Sequence, residues 1–352
     1  MINTIKSIEI ELSSLCNAAC PQCMREFRYD DKSWFPQTYL KTSAFNSISL
    51  QIWNNIEKID FAGTFGDPAT APNLIEVCKL INSKNKNIDI SISTNGGLKT
   101  VDFWKELASV LLDNDTVVFS IDGLSDTLDI YRVNVNYNKV LTNAKAFIAA
   151  GGNAVWQFVA FKHNQHQIDE AEKLAKDLGF SSFKIVPTQR EKIDELAGVC
   201  RISKGVAILP PTIPTLKNNN ESSFPITLEK LLKETNTTEI SCRAKKEQSI
   251  YIDCTGNVVP CCFIGASLYT RPAIFKINDG WDEIYQPYVN SANLYVSPLE
   301  DILKSDFFNK IEESWSKEYS TGRIASCGMT CSATSASVHD HKIREGIYRQ
   351  LQ

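Results

Sequence analysis

The first 190 residues of this chain alternate between two periodicities, and that alternation leaves few architectures open. Short runs that are either period-two or wholly apolar occur at Ile8, Ile10 and Leu12, then at 59–62, 88–93, 117–121, 155–161 and 183–186. Each reads as a strand. Between them apolar residues recur at helical spacing: Leu74, Val77, Cys78 and Ile81; Phe103, Leu107, Val110 and Leu111; Ile168, Ala171, Leu174, Ala175 and Leu178, with Gly179 as the expected stop. Strands alternating with helices predict an α/β fold, a parallel sheet with helices outside it. Six repeats are too few to close an eight-stranded barrel, so an open or partial barrel is expected.

After Pro187 the pattern breaks, and Pro210-Pro211, Pro214 and the run Lys217 to Ser223 read as turn and linker. This divides the chain into a domain at 1–210, a linker at 211–240 and a smaller C-terminal domain at 241–352. In the latter, Ser249 to Val259 predicts a hairpin turning at Thr255-Gly256-Asn257, and Pro298 to Trp315 a helix. Hydrophobic residues at 43% and charged residues at 22% suit a globular protein with a sizeable core. With Lys+Arg 37 against Asp+Glu 41, no basic surface is available for nucleic acid. No apolar run reaches the ~18 residues of a membrane span, and Met1 to Glu11 carries no export signal, so a cytoplasmic protein without a membrane partner is expected.

Eleven cysteines in such a chain point to metal or redox chemistry rather than disulfides. Cys16, Cys20 and Cys23 (CNAACPQC) follow directly on the first strand, in the loop where a parallel α/β sheet presents its functional groups. Three thiolates on one short loop can bind three irons of a cubane. The fourth iron would lack a protein ligand, because the first histidine is His163. A zinc knuckle completed from elsewhere, or three core thiols, are the other readings.

The loop resembles the hallmark of the radical SAM superfamily, a CX3CX2C motif after the first strand of a (βα)6 partial TIM barrel. The resemblance continues along the barrel. Phe61 to Pro68 (FAGTFGDP) stands where the family carries a Gly-Gly-Glu motif that contacts the amino group of S-adenosylmethionine (SAM); here Gly66 and Asp67 take that place, the acid one methylene shorter. A plain strand-to-helix turn is the alternative. Ser93-Thr94-Asn95-Gly96 resembles the family's turn after the third strand, which makes Thr94 and Asn95 candidate cofactor contacts. Ser120 and Asp122 close the fourth strand, and Arg132 follows at a distance similar to that of the serine and arginine that hold the SAM carboxylate in peptide-modifying members. An arginine fork suits a carboxylate, though a surface arginine is the bland alternative. Gln157 and Asn164 occupy further positions where the family contacts ribose or adenine.

Cys242, thirteen residues, Gly256, four residues and Cys261 resemble the opening of the SPASM and Twitch extensions, whose hairpin carries ligands for an auxiliary 4Fe-4S cluster. Cys327 and Cys331 (CGMTC) supply the returning pair. The resemblance thus implies a Twitch-like α+β domain, with Cys242, Cys261, Cys327 and Cys331 as ligands; a four-cysteine zinc site is the rival. Cys262, adjacent to Cys261, would point the opposite way in a strand. Cys254 is read three ways: ligand, hydrogen-atom donor to a substrate radical, or idle turn residue. Cys78 reads as core and Cys200 as partnerless. The pairs His163, His166 and His339, His341 carry no metal-site spacing.

What the resemblance implies is an enzyme that reductively cleaves SAM to a 5′-deoxyadenosyl radical and abstracts hydrogen from a substrate carbon. Its cofactors would be a SAM-binding 4Fe-4S cluster, an auxiliary 4Fe-4S cluster and SAM. Its electron donor would be of flavodoxin or ferredoxin type. The substrate is a peptide or protein, or alternatively a small-molecule alcohol or aminocyclitol; a non-catalytic electron carrier is the remaining reading. Met24 to Asn46, with Trp34, Phe35 and Tyr39, is either a lid over the radical or aromatic core.

Overall fold

The structure is a computed structural model in which residues 4–26, 35–187, 200–213, 216, 228–269, 280–332 and 347–351 are described. Six strands run parallel in chain order: β1 (Ser7–Ile10), β2 (Lys58–Phe61), β3 (Asp89–Thr94), β4 (Thr116–Ser120), β5 (Ala154–Ala160) and β6 (Ser182–Pro187). The crossovers carry α1 (Leu50–Asn55), α2 (Leu74–Lys84), α3 (Val101–Val110), α4 (Leu128–Tyr131), α5 (Tyr137–Ala149) and α6 (Ile168–Asp177). This is the expected partial barrel, every strand within two residues of its expected place.

The pleat sorts the side chains. Ile8, Ile10, Ile59, Phe61, Ile90, Ile92, Val117, Phe119, Trp156, Phe158, Phe183 and Ile185 are buried in one core with residues of the helices. Trp104 of α3, for instance, packs on Phe119 with ring centroids 5.2 Å apart. The opposite, inner face presents Glu9, Asp60, Ser91, Ser93, Gln157 and Lys184, all half-buried. A closed eight-stranded barrel fills its interior with branched apolar side chains. Here the inner face mixes those polar side chains with Val118, Val155, Val159 and Val186.

The C-terminal region is not a separate sheet. After the small ribbon of β7 (Ile202–Ser203) and β8 (Val206–Ala207), β9 (Ser249–Ile252) pairs parallel with β1, and β10 (Val258–Val259) folds back on β9. The expected hairpin is therefore present, turning at Gly256 with φ +89°, but it extends the barrel wall. The cause is the open edge of β1, whose backbone groups need partners and whose buried face Ile250 and Ile252 continue. At the other edge β11 (Ile347–Gln350) pairs antiparallel with β6.

The expected helix from Pro298 to Trp315 is two helices, Leu299–Lys304 and Phe307–Ser314. Ser305 interrupts it: its N–H closes on the Asp301 and Ile302 carbonyls and its hydroxyl donates to Ile302 at 2.6 Å, the local competition that ends helices at serine. Pro214, Lys217 to Ser223, Trp34, His339 and His341 lie outside the described residues. Among the described residues no helix is long and apolar enough to cross a membrane.

Candidate functional site

Beyond Ile10 the chain buries Glu11 completely. Its carboxylate accepts the N–H groups of Thr64 at 2.9 Å, Phe65 at 3.2 Å and Gly66 at 2.9 Å, and the hydroxyl of Tyr251 at 3.0 Å. Burial pushes its pKa up to about 7 against the pull of those donors. The loop after β2 is thereby curled around an acid from β1. It is also latched to the segment leading into Cys16: Asp67 N–H donates to Leu15 at 2.8 Å. A Cβ on Gly66 would stand 1.8 Å from the Ser13 carbonyl oxygen, so only glycine fits there. Sequence reading missed Glu11, since an acid at a strand's polar phase carries no signal of its own.

Asp67, Thr94 and Asn95 come together. The buried Asp67 carboxylate accepts Ala69 N–H at 2.9 Å, the Thr94 hydroxyl at 2.9 Å and Asn95 N–H at 2.7 Å, tying the end of β2 to the end of β3. Burial raises its pKa. Asn95 in turn donates to Asn17 Oδ1 at 2.8 Å and lies 3.8 Å from Cys16 Sγ. At the end of β4, Asp122 accepts Arg132 Nε at 2.5 Å and Val159 N–H at 2.8 Å, and Arg132 Nη1 stands 3.9 Å from Cys20 Sγ. Asn164 is fully enclosed. Its amide donates to the Asp122 and Val159 carbonyls, both at 2.9 Å, and accepts Phe161 N–H at 2.7 Å. Ser120 and Gln157 lie opposite one another across β4 and β5 on the inner face, and neither side chain hydrogen-bonds another described residue.

The thiols fit two iron–sulfur clusters. Cys16, Cys20 and Cys23 share one neighbourhood: burial foremost, then Asp67 and the two other thiols, push the Cys16 thiol up to about 12. A thiol that holds its proton so firmly exchanges it for metal on assembly. Asn95 and Arg132 direct N–H groups at two of these sulfurs, the donors that tune such clusters. In the C-terminal region Cys327 feels Cys261, Cys331 and Cys242, and its thiol is raised by burial and by those neighbours. Cys261 leads into the helix Cys262–Ser267, while Cys327 and Cys331 stand four apart on the helix Ala325–Cys331, hence on one face. Ser241 N–H holds the strand before Cys242 to the Cys331 carbonyl at 2.8 Å. Among the described residues no three His, Cys, Asp or Glu side chains converge as a single ion would require.

The remaining cysteines divide. Cys262 opens the helix Cys262–Ser267 rather than lying in a strand, and is near Tyr251. Cys254 is buried beside Asp253 and Ser14, at the front of the first loop and apart from the four thiols, and burial pushes it up to about 12. Cys78 is core and Cys200 is exposed. His163 stacks on Phe161 at 5.3 Å, neither ring nitrogen finds a partner among the described residues, and burial lowers its pKa to about 4. Phe35 stacks on Phe65 at 5.4 Å, and Tyr269 meets Phe65 edge-on at 5.9 Å. Three distant stretches of sequence thus share one aromatic rim beside the Glu11-held loop.

With this geometry in view, a family model for the radical SAM superfamily matches residues 10–178, and one for the SPASM iron–sulfur cluster-binding domain matches 242–332. A curated relative is the tungsten-containing aldehyde ferredoxin oxidoreductase cofactor-modifying protein of Pyrococcus furiosus, 23% identical over 279 residues, 73% of this chain and 71% of that protein. The GTP 3′,8-cyclase of Aliarcobacter butzleri is 24% identical over 198 residues, 48% of this chain and 59% of the cyclase. Among solved structures, Streptococcus suis SuiB bound to precursor peptide SuiA aligns with TM-score 0.54 at 16% identity, covering 92% of this chain and 76% of that one. The protein anSMEcpe with bound AdoMet aligns with TM-score 0.51 at 16% identity, covering 89% and 81%. These likenesses are of fold.

Proposed function

We propose a peptide- or protein-modifying role for this chain, which carries a radical SAM domain at residues 10–178 and a SPASM iron–sulfur domain at 242–332. It is a radical SAM enzyme, and its cofactors are a 4Fe-4S cluster, an auxiliary 4Fe-4S cluster and SAM. When bound, the first cluster and SAM supply one-electron reduction and hydrogen abstraction at carbon.

The observation that carries the site assignment is the convergence of Arg132 and Asn95 on the thiols of the first loop, with the unengaged Ser120 and Gln157 beside them. In this reading Cys16, Cys20 and Cys23 hold the first cluster. Arg132, fixed through Nε by Asp122 and with Nη1 at Cys20, would together with Ser120 hold the SAM carboxylate. Gln157 faces the ribose and adenine. Asp67, Asp122, Thr94 and Asn164 act through position, since each is engaged in holding strand ends together. Glu11 shapes the loop at Gly66 so that backbone approaches the amino group. Phe35, Phe65 and Tyr269 exclude water at the rim.

The peptide assignment is supported by the fold-level likeness to SuiB, solved with a precursor peptide, and to anSMEcpe. The Pyrococcus furiosus relative, named as cofactor-modifying, favours a small-molecule substrate as second reading. A perdeuterated extract of the source organism separates them. It is ultrafiltered into a small-molecule filtrate and a peptide and protein retentate, and each is incubated with reduced enzyme and SAM. Deuterium in 5′-deoxyadenosine from the retentate alone is expected; deuterium from the filtrate alone establishes the second reading instead.

A further inference from the structure

The helix that carries Cys327 and Cys331 is preceded by Arg323, whose side chain is enclosed at 1% exposure. Among the described residues no carboxylate pairs with it. Nη1 donates to the carbonyls of Trp315 and of Lys317, the latter at 3.4 Å, and Nη2 donates to the carbonyl of Thr238. Nε has no acceptor. Carbonyls satisfy donors but do not neutralise a charge, and an uncompensated buried cation is costly. Something anionic belongs beside it.

The packing shows where. Gly328 directly follows Cys327, and a Cβ there would lie 2.1 Å from Tyr319 Oη and 3.2 Å from Arg323 Nε. Glycine at this point lets Tyr319 and Arg323 rest against the ligand-bearing helix. The Tyr319 hydroxyl, held by Thr235 at 2.7 Å, also engages the Arg323 side chain and feels the negative charge of Cys327. Arg323, through Nε and the adjoining Tyr319, thus rests against the helix that presents two of the four grouped thiols.

We propose that Arg323 is the counter-charge of the auxiliary cluster and raises its reduction potential. A cluster on four thiolates is anionic in both oxidation states and more so after gaining an electron, so a fixed cation in a low-dielectric surround favours the reduced form. The inference rests on reading Cys242, Cys261, Cys327 and Cys331 as ligands. Arg323 is a positioning residue: it touches no substrate.

The test uses the full chain, reconstituted anaerobically, and a redox titration followed by electron paramagnetic resonance, the auxiliary signal being the one that SAM does not alter. Arg323→Gln keeps amide donors for the surrounding carbonyls and removes the charge; Arg323→Lys keeps the charge and loses the fork. With about eight irons retained, the Gln protein should be about tenfold harder to reduce, a fall of about 59 mV for one electron, and the Lys protein should stay near the wild type. An unchanged potential in Gln, or equal falls in Gln and Lys, overturns the proposal and leaves Arg323 a clamp on carbonyls. Should Gln lose the auxiliary cluster, full iron in Lys supports the charge, and loss in Lys as well overturns it. A wild type with about four irons and no second signal defeats the ligand reading itself, before any variant is made.

Discussion

The Tyr251 hydroxyl donates to the Glu11 carboxylate at 3.0 Å across 240 residues of sequence. Both side chains are fully buried. Glu11 directly follows β1 and Tyr251 lies in β9, so the contact joins the C-terminal hairpin to the loop that Glu11 organises. Tyr251 also lies under the helix Cys262–Ser267, where a Cβ on Gly265 would come within 2.4 Å of its ring. The helix that follows Cys261 and the loop at 64–66 therefore share one junction at Glu11 and Tyr251.

Removing that hydroxyl should loosen the loop and spare the clusters. A hydrogen bond to a charged acceptor contributes roughly 1.5–3 kcal/mol, part of which Tyr251→Phe forfeits. SAM should bind several-fold more weakly, amide exchange should quicken at 64–66, and iron content should be unchanged. Unaltered exchange in that loop would contradict the brace.

Glu11 also predicts a pH dependence. Its pKa is about 7 in the fold against 4.5 in the unfolded chain, so between those values the folded state keeps a proton that the unfolded state has released. Its stabilisation is complete below 4.5 and is lost as pH rises through about 7. At 1.36 kcal/mol per unit the loss is on the order of 3 kcal/mol. Asp67 and Asp115, raised by burial, slope the same way. His163, lowered from 6.5 to about 4, slopes the opposite way. Glu11→Gln removes only its own share, so urea midpoints should fall less steeply from about pH 5 to about pH 8 in the variant.

Iron counting separates the two thiol groups. The full chain should hold about eight irons, and joint replacement of Cys16, Cys20 and Cys23 by Ala should leave about four. Replacing Cys242, Cys261, Cys327 and Cys331 should leave the other four or so. Cys254→Ala should not change the count, because Cys254 lies beside Asp253 and Ser14. Zinc in the C-terminal set would refute the assignment.

Arg132 is held by Asp122 through Nε and directs Nη1 at Cys20, which leaves Nη2 for a ligand. Arg132→Ala should weaken SAM binding by about ten- to a hundred-fold, from roughly 1.5–3 kcal/mol for a charge-assisted contact. Arg132→Lys should fall between, and neither should alter iron content. An unaltered SAM affinity in Arg132→Ala would return it to a surface role.

Much of this was legible in the sequence. The strands announce themselves because alternate residues face helices and chamber, and the first cysteine loop because its spacing follows a strand end. What stayed hidden is non-local. Nothing near Ser249 says that it will pair with Ser7. Glu11 follows the same polar phase as Glu9, and only the fold shows one enclosed by three N–H groups and the other half-buried. Arg323 lies in a turn where sequence expects a solvated cation, and the surrounding carbonyls come from three separate residues. Asp67 and Asn164 were legible as site residues, but their engagement with strand ends was not.

Gly66 tests the junction most severely. Its missing Cβ would stand 1.8 Å from the Ser13 carbonyl oxygen and 2.8 Å from that of Leu15, both backbone atoms that no rotamer change can move aside. Gly66→Ala must therefore push the loop off the segment leading to Cys16. Such overpacking costs typically 1–3 kcal/mol and can cost more. The displacement would break the Gly66 N–H bond to Glu11 and the Asp67 N–H bond to Leu15 together. The variant should lose SAM affinity, protect the loop poorly in amide exchange, and still assemble the auxiliary cluster, whose proposed ligands Cys242, Cys261, Cys327 and Cys331 lie outside this loop. Gly63→Ala provides the comparison, its nearest obstacle being the Gly66 carbonyl oxygen at 2.7 Å within the same loop, so it should strain the turn without separating it from Ser13. Wild-type SAM affinity in Gly66→Ala would mean that the loop can leave Ser13 without consequence, and that the Glu11 cradle does not set the binding geometry.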